Sequence, residues 1–217
     1  PHRKIGIVDL RIPLARPEPK LLQFLAAKIA AHVDLRRQPL RRQRRHAETP
    51  FAAVISSDLL RARQTGGAIG QALGLPVQDA PSLRERHYGD FEGKTPAEAR
   101  QFDDVAYDVL VARADLKAAP GSAEPLDGMV ARIETCLQAL AVQYANDAVI
   151  LVTHGGVLDV LYRRAMGRAL TGPRDAPIPN AGLNWLDLGL ADGALHWTMV
   201  AWGETSHLND ASLDEIL

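Results

Sequence analysis

His154, Arg61 and Glu85 are the residues of this chain whose types and places could do chemistry together. His154 closes the apolar run Ala148-Val149-Ile150-Leu151-Val152-Thr153. It precedes Gly155-Gly156 and a segment with Val157, Leu158, Leu161 and Ala165 at helical spacing. That pattern predicts a buried parallel strand feeding a helix, with His154 at the strand's carboxyl end. Ligands of open α/β sheets bind at that edge, and Gly155 and Gly156 let an anion approach the N–H groups of the helix start. Arg61 falls in the first turn of another helix that follows a strand, and Glu85 lies in a loop after a third, short strand. A guanidinium matches phosphate bidentately, and a histidine can donate to an anion or be phosphorylated. A carboxylic acid beside them could protonate a leaving alkoxide. Taken singly, each has a plain structural alternative: Arg61 as a surface ion pair, Glu85 as a solvated loop acid, His154 as a packed core histidine, His87 and Tyr88 as loop packing.

The elements that must position these groups follow from periodicity. Residues 4–10 and 51–56 read as short β-branched or apolar strands, and 21–33 as a helix after a proline-rich stretch. Ser57-Asp58 can cap a helix carrying Ala62, Ile69 and Leu73, which Gly74-Leu75-Pro76 stops. Thr95-Pro96-Ala97-Glu98 has the threonine, proline and glutamate of a capping box, opening a loosely apolar helix expected to run through Leu116. This helix belongs to a small cap around residues 94–125, and a long amphipathic helix fills 126–144. Residues 182–190 and 194–202 alternate as a hairpin turning at Asp192-Gly193. Strands alternating with helices imply an α/β fold with a mainly parallel sheet, closed by antiparallel strands.

At 217 residues and 47% hydrophobic content, the chain can bury a full core as one domain spanning 1–217. A net charge of -1 gives no global reason to expect nucleic acid or an acidic membrane as partner. The basic run over residues 36–45 is more economically a solvated face than a binding site. Cys136 is the only cysteine, which leaves no disulfide framework and no thiolate metal site and fits a reducing, cytoplasmic setting. Nothing reads as a signal peptide, and no apolar run approaches the ~20 residues that span a bilayer.

Four segments in order resemble the histidine phosphatase superfamily, which includes the cofactor-dependent phosphoglycerate mutases. They are Ser56-Ser57-Asp58-Leu59-Leu60-Arg61-Ala62-Arg63-Gln64-Thr65, Leu83-Arg84-Glu85-Arg86-His87-Tyr88-Gly89 with Phe91-Glu92-Gly93, Val152-Thr153-His154-Gly155-Gly156, and Ile178-Pro179-Asn180-Ala181. The resemblance implies a three-layer α/β/α sandwich of the phosphoglycerate mutase-like kind. It implies metal-free phosphoryl transfer through a phosphohistidine, with no cofactor. On this resemblance Arg61 is a phosphate-pocket arginine, Glu85 the proton donor and His154 the second histidine that steadies the transferring phosphoryl. Arg11, Arg86, Gly155 and Asn180 are expected to contact the substrate, a small phosphorylated metabolite or inorganic phosphate. The compact cap and the lack of a long insertion before Leu126 favour a small phosphatase, monomeric or homodimeric, over a mutase, although Glu85-Arg86-His87-Tyr88-Gly89 is mutase-like.

One feature of the family is missing. Its nucleophile sits in Arg-His-Gly directly after the first strand, where this chain has Leu10-Arg11-Ile12-Pro13. Arg45-His46-Ala47-Glu48-Thr49 imitates the signature, but no strand precedes it and no room for a helix separates it from the strand at Phe51. Two readings of the N-terminal quarter stay open. The chain is a non-catalytic relative keeping an anion pocket, or residues 10–48 come from a displaced reading frame, and the coding nucleotides separate the two. The expectation is a phosphomonoester hydrolase impaired by the loss of its nucleophile, with a phospho-ligand binder and a phosphoglycerate mutase as alternatives.

Overall fold

A computed structural model describes residues 3–9, 51–145 and 147–208. The helix expected at 21–33, the basic run at 36–45, Arg11 and His46 lie outside the described residues. In chain order the elements are β1 (Arg3–Asp9), β2 (Phe51–Ser56), α1 (Leu60–Leu73), β3 (Val77–Asp79), α2 (Pro96–Ala112), α3 (Leu126–Gln143), β4 (Ala148–Thr153), α4 (Gly155–Ala165), β5 (Leu183–Ala191) and β6 (Ala194–Glu204). The strands form a six-stranded sheet in the order β3-β2-β4-β1-β5-β6. Pairings among β3, β2, β4 and β1 are parallel, and β5 and β6 close the sheet antiparallel.

β4 sits between β2 and β1, and all its residues are buried. The strand's period of two divides them between two faces. Val149 and Leu151 pack with Leu126, Ile133 and Leu137 of α3 and Leu158 and Leu161 of α4. Ala148, Ile150 and Val152 pack with Ala62 and Ile69 of α1 and Trp185 of β5. Helices therefore cover both faces, giving the three layers that the resemblance implied. β2 breaks the alternation once, because a register shift between Phe51 and Ala53 puts Phe51 and Val54 on the same face.

The remaining elements follow local rules with two differences. Thr95 Oγ1 accepts from the Glu98 N–H while the Glu98 carboxylate accepts from the Thr95 N–H, completing the expected capping box. The hairpin turns at Asp192 and Gly193 with φ of 52° and 75°, the pair of positive angles that a two-residue turn between twisted strands requires. The helix expected to reach Leu116 ends instead at Ala112, where Arg113 turns left-handed (φ 50°) and sends its guanidinium to a buried carboxylate, Asp159. Ser57 and Asp58 are not the caps of α1, whose N-cap is Leu59 with no side-chain cap bond. Ser57 faces His154, and Asp58 is held bidentately by Arg84. A third apolar cluster of Phe91, Ala99, Leu110 and Ala123, joined by Tyr88 and Tyr107, packs the segment between β3 and α3.

Candidate active site

The parallel register brings the ends of β1, β2 and β4 to one edge of the sheet. Asp9 of β1 pairs with Thr153 of β4, Ser56 of β2 pairs with Val152, and the ladder continues through the Ser57 N–H to the Val152 carbonyl at 2.9 Å. Beyond this edge stand His154, Ser57 and, in the first turn of α1, Arg61. His154 is 2% exposed. Arg61 Nε donates to His154 Nδ1 at 3.2 Å, and the other ring nitrogen lies 2.8 Å from Ser57 Oγ. A guanidinium can only donate, so Nδ1 is the acceptor in this bond and Nε2 carries the proton toward Ser57. The ring is thereby fixed in one tautomer with Arg61, itself an exposed residue, beside it.

Glu85 reaches the same edge from the loop after β3. Its Oε2 accepts from the Gly156 N–H at 2.9 Å and its Oε1 from the Arg86 N–H at 2.8 Å. Gly156 is the second residue of α4, so the carboxylate occupies one of the unpaired N–H groups at the positive end of that helix. The approach needs glycine: a Cβ on residue 156 would lie 1.9 Å from Glu85 Oε1.

The loop carrying Glu85 is fastened from below. Thr153 Oγ1 donates to the Leu83 carbonyl at 2.8 Å. Arg132 of α3 donates to the carbonyls of Ser82 (2.6 Å), Arg84 (2.9 Å) and Glu85 (3.2 Å), and to both carboxylate oxygens of Glu124. Burial acts to raise the Glu124 carboxyl, but the hydrogen bonds and charge of Arg132, joined by the His87 N–H and the charge of Arg86, outweigh it, so its pKa lies below the usual carboxylate range. Arg86 is 6% exposed and donates to the carbonyls of Glu124 (2.8 Å) and Ala118 (3.4 Å). Burial pushes its guanidinium below the ordinary arginine value, with the neighbouring Tyr88, Glu124 and Glu85 acting in the opposite sense. The Tyr88 phenol is raised by burial and then by the Glu85 charge, which keeps it protonated.

Two clefts meet at Arg86 and Tyr88. One, of about 990 Å³, is lined by Arg61, Glu85, Arg86 and Arg132, and the other, of about 760 Å³, runs from Gly156 past Arg86 to Arg113 and Arg174. The structure therefore gathers Arg61, Glu85 and Arg86 around the first cleft, with His154 and Gly155 at the same sheet edge but lining neither cleft. Asn180 is exposed in the turn before β5 and lines neither cleft. Among the described residues no group of three or more His, Cys, Asp or Glu is placed to hold a metal ion, and no helix is long and apolar enough to cross a membrane. Sequence reasoning missed Ser57 as the partner of His154, and it missed Arg132 and Asp159 entirely. Ser57 had a competing assignment as a cap. Arg132 gives no local signal for the Glu85 loop, because the carbonyls it binds there are about 50 residues away. Asp159 did give one: it is a lone acid inside the apolar run Val157-Leu158-Asp159-Val160-Leu161.

Known proteins resemble the chain in sequence and in fold. The sequence model of the histidine phosphatase superfamily (branch 1) matches residues 36–205. Phosphoglycerate mutase-like protein 4 of Arabidopsis thaliana is 34% identical over 191 residues, covering 84% of this chain and 80% of that protein. A metal-independent phosphoserine phosphatase of the same plant is 32% identical over 158 residues, covering 72% of this chain and 63% of that protein. A mycobacterial glucosyl-3-phosphoglycerate phosphatase shares the fold with a TM-score of 0.68 at 24% identity, over 94% of this chain and 100% of that one. A structure of that phosphatase with inorganic phosphate also matches, with a TM-score of 0.64.

Proposed function

The chain belongs to the histidine phosphatase superfamily, and on that footing we propose that it is a cytoplasmic, metal-independent phosphomonoester hydrolase whose turnover is impaired by the loss of Arg-His-Gly after β1. One observation carries the reading: the Glu85 carboxylate, seated on the Gly156 N–H, shares an edge with a histidine whose ring is fixed by Arg61 and Ser57. That arrangement suits a phosphate whose oxygens meet Arg61, His154 and the N–H groups at the start of α4, while Glu85 faces the ester oxygen.

The chemistry for which the pocket is built runs in two steps. A histidine nitrogen attacks phosphorus in line with the ester bond, the P–O bond breaks, and Glu85 gives its proton to the departing oxygen. Water then attacks phosphorus, the P–N bond breaks, and the proton from that water returns to Glu85 as phosphate leaves. His154 is the steadying histidine in this scheme. The attacking one has no counterpart at Leu10-Arg11-Ile12-Pro13, which favours a second reading, a binder of phosphorylated metabolites that keeps the pocket without the turnover. The names of the relatives, phosphoserine phosphatase and phosphoglycerate mutase-like protein, support a small phosphorylated metabolite as ligand under either reading.

The test is hydrolysis of 4-nitrophenyl phosphate together with calorimetric binding of inorganic phosphate, in the unaltered chain and in His154→Ala. Hydrolysis abolished by the substitution supports the enzyme. Absent hydrolysis with phosphate binding that the substitution weakens supports the binder, and absence of both refutes the pocket.

A further inference from the structure

The two edges of the sheet are built differently. β3 forms one of them. It is three residues long, it follows Pro76, it ends at Asp79 with Arg63 Nε 3.4 Å from the carboxylate, and it gives way to a turn at Pro81. Short strands, prolines and charges are the devices that keep a sheet edge from pairing with another chain. β6 forms the other edge and carries none of them. Over Ala194–Met199 it pairs residue for residue with β5, and its far side pairs with no described strand. From Ala194 to Gly203 it holds no Lys, Arg, Asp, Glu or Pro.

Local structure sets the length of the open stretch. Val200 is the extra residue between the pairs Trp185–Ala201 and Leu186–Met199, so the ladder bulges there. Beyond it Trp202 Nε1 donates to the Pro177 carbonyl at 2.8 Å, and the loop before β5 lies against the strand. Within Ala194–Met199 the side chains alternate. Leu195, Trp197 and Met199 pack half-buried against the core that α3 and α4 share, while Ala194, His196 and Thr198 are exposed on the opposite face. No described strand stands beyond the apolar row to finish covering it.

We propose that β6 is the interface between two copies of this chain, each strand pairing antiparallel with the other about a two-fold axis through Trp197. Residues opposed across such an axis share a face only when the axis passes through a residue, and Trp197 is the position that keeps Leu195–Met199 in the ladder. Leu195 of each copy then opposes Met199 of the other and Trp197 opposes its own counterpart, an apolar row on the core side, while His196 opposes Thr198 on the exposed side. Main-chain bonds supply the attraction, and the apolar row completes the cover that one copy lacks. The occupant is a second copy because the strand offers no charge by which a charged peptide would be selected, whereas it is complementary to itself. A two-fold contact also uses up both open edges and leaves only the guarded β3 edges outside, so assembly stops at two. Leu183 at the start of β5 pairs with Val8, which puts the Asp192-Gly193 turn at the opposite end of the sheet from Thr153. The interface therefore leaves both phosphate pockets open and does not rest on the function proposed for them.

Sedimentation equilibrium of the full chain tests the pairing. The expected result is a monomer–dimer equilibrium with a dissociation constant in the micromolar range or tighter. Two doubly substituted chains, His196→Lys/Thr198→Lys and His196→Glu/Thr198→Glu, change only exposed positions and place like charges opposite each other in the homodimer. Each should dissociate about 10-fold or more readily than the unaltered chain, and an equimolar mixture of the two should recover the dimer. Hydrogen exchange on the unaltered chain gives a reading that needs no substitution: the outward amides of residues 194–199 should gain protection as concentration rises through the dissociation constant. A chain that stays monomeric, assembly beyond two copies, a dimer that the charged chains form equally well, a mixture that fails to recover it, or amides that gain no protection would each overturn the pairing.

Discussion

The Glu85 carboxylate lies 2.9 Å from the Gly156 N–H, in space that any side chain at position 156 would fill. A loop acid and a helix start separated by 71 positions are fitted to each other. Gly156→Ala therefore moves the acid off the helix N-terminus. The expected loss falls on esters with poor leaving groups, because a departing alkoxide needs a proton and a nitrophenolate does not. Relative to the unaltered chain, hydrolysis of an alkyl phosphate should drop about 100-fold or more while 4-nitrophenyl phosphate is affected far less. Equal losses on both substrates would mean that Glu85 serves binding and gives no proton.

Arg132 determines where Glu85 can be. One guanidinium gathers three carbonyls of the Glu85 loop and the Glu124 carboxylate. Lysine carries the same charge but cannot span those acceptors with a planar fork. Arg132→Lys is expected to leave the fold intact by circular dichroism and to weaken activity on alkyl phosphates about 10-fold or more, the effect of a misplaced catalytic group. Arg132→Met, which leaves Glu124 and the carbonyls without their partner, should lower unfolding free energy by about 1–3 kcal/mol in urea titrations.

Glu124 makes stability depend on pH in a set direction. Its pKa in the folded chain is below the unfolded value, so the folded state binds the proton less readily than the unfolded one. Its contribution is fully present above the ordinary glutamate pKa and is lost as pH falls through the depressed folded value. Urea midpoints of the unaltered chain and of Glu124→Gln should differ most near neutrality and converge on acidification below about pH 4. A constant difference across that window would show that the carboxylate's charge contributes nothing.

Much of this architecture was legible from sequence because its signals are local. The buried run at Ala148–Thr153, the Thr95 capping box and the Asp192-Gly193 turn each depend on a few adjacent residues, and each formed where expected. That His154, Arg61 and Glu85 meet at one sheet edge was legible for a related reason, since strand ends and helix starts are set by topology. The supporting shell was not. Ser57 satisfied a local capping rule and lost it to a tertiary bond with His154, and the expected helix through Leu116 yielded at Arg113 to an acid 46 positions away. Long-range polar pairs of this kind override propensity because an unpaired buried carboxylate costs more than a helix end.

Asp159 is where that cost can be measured. It is wholly buried and pairs with Arg113 and Arg163, which tie the end of α2 and the loop after α4 to the helix that begins at the active site. Removing one member of a buried ion pair leaves its partners' charge uncompensated, at about 3–5 kcal/mol. Asp159→Asn should therefore lower the unfolding free energy by about that amount while Arg174→Met, at a half-exposed arginine without a hydrogen bond, changes it by less than about 1 kcal/mol.

The missing nucleophile yields the last prediction. If Arg11-Ile12-Pro13 occupies the place of the family's Arg-His-Gly, the double substitution Ile12→His/Pro13→Gly supplies an attacking imidazole beside a pocket that already holds Arg61, Glu85 and His154. Covalent nucleophiles carry most of the rate in enzymes that depend on them, so hydrolysis of 4-nitrophenyl phosphate should rise about 1000-fold or more. The gain should vanish on adding His154→Ala, and quenching with alkaline denaturant during turnover should leave a base-stable phosphoryl group on the protein that is released by acid. No rise in rate and no trapped phosphoryl would mean that residues 11–13 do not stand where the family keeps its nucleophile, and the chain would then be read as a binder.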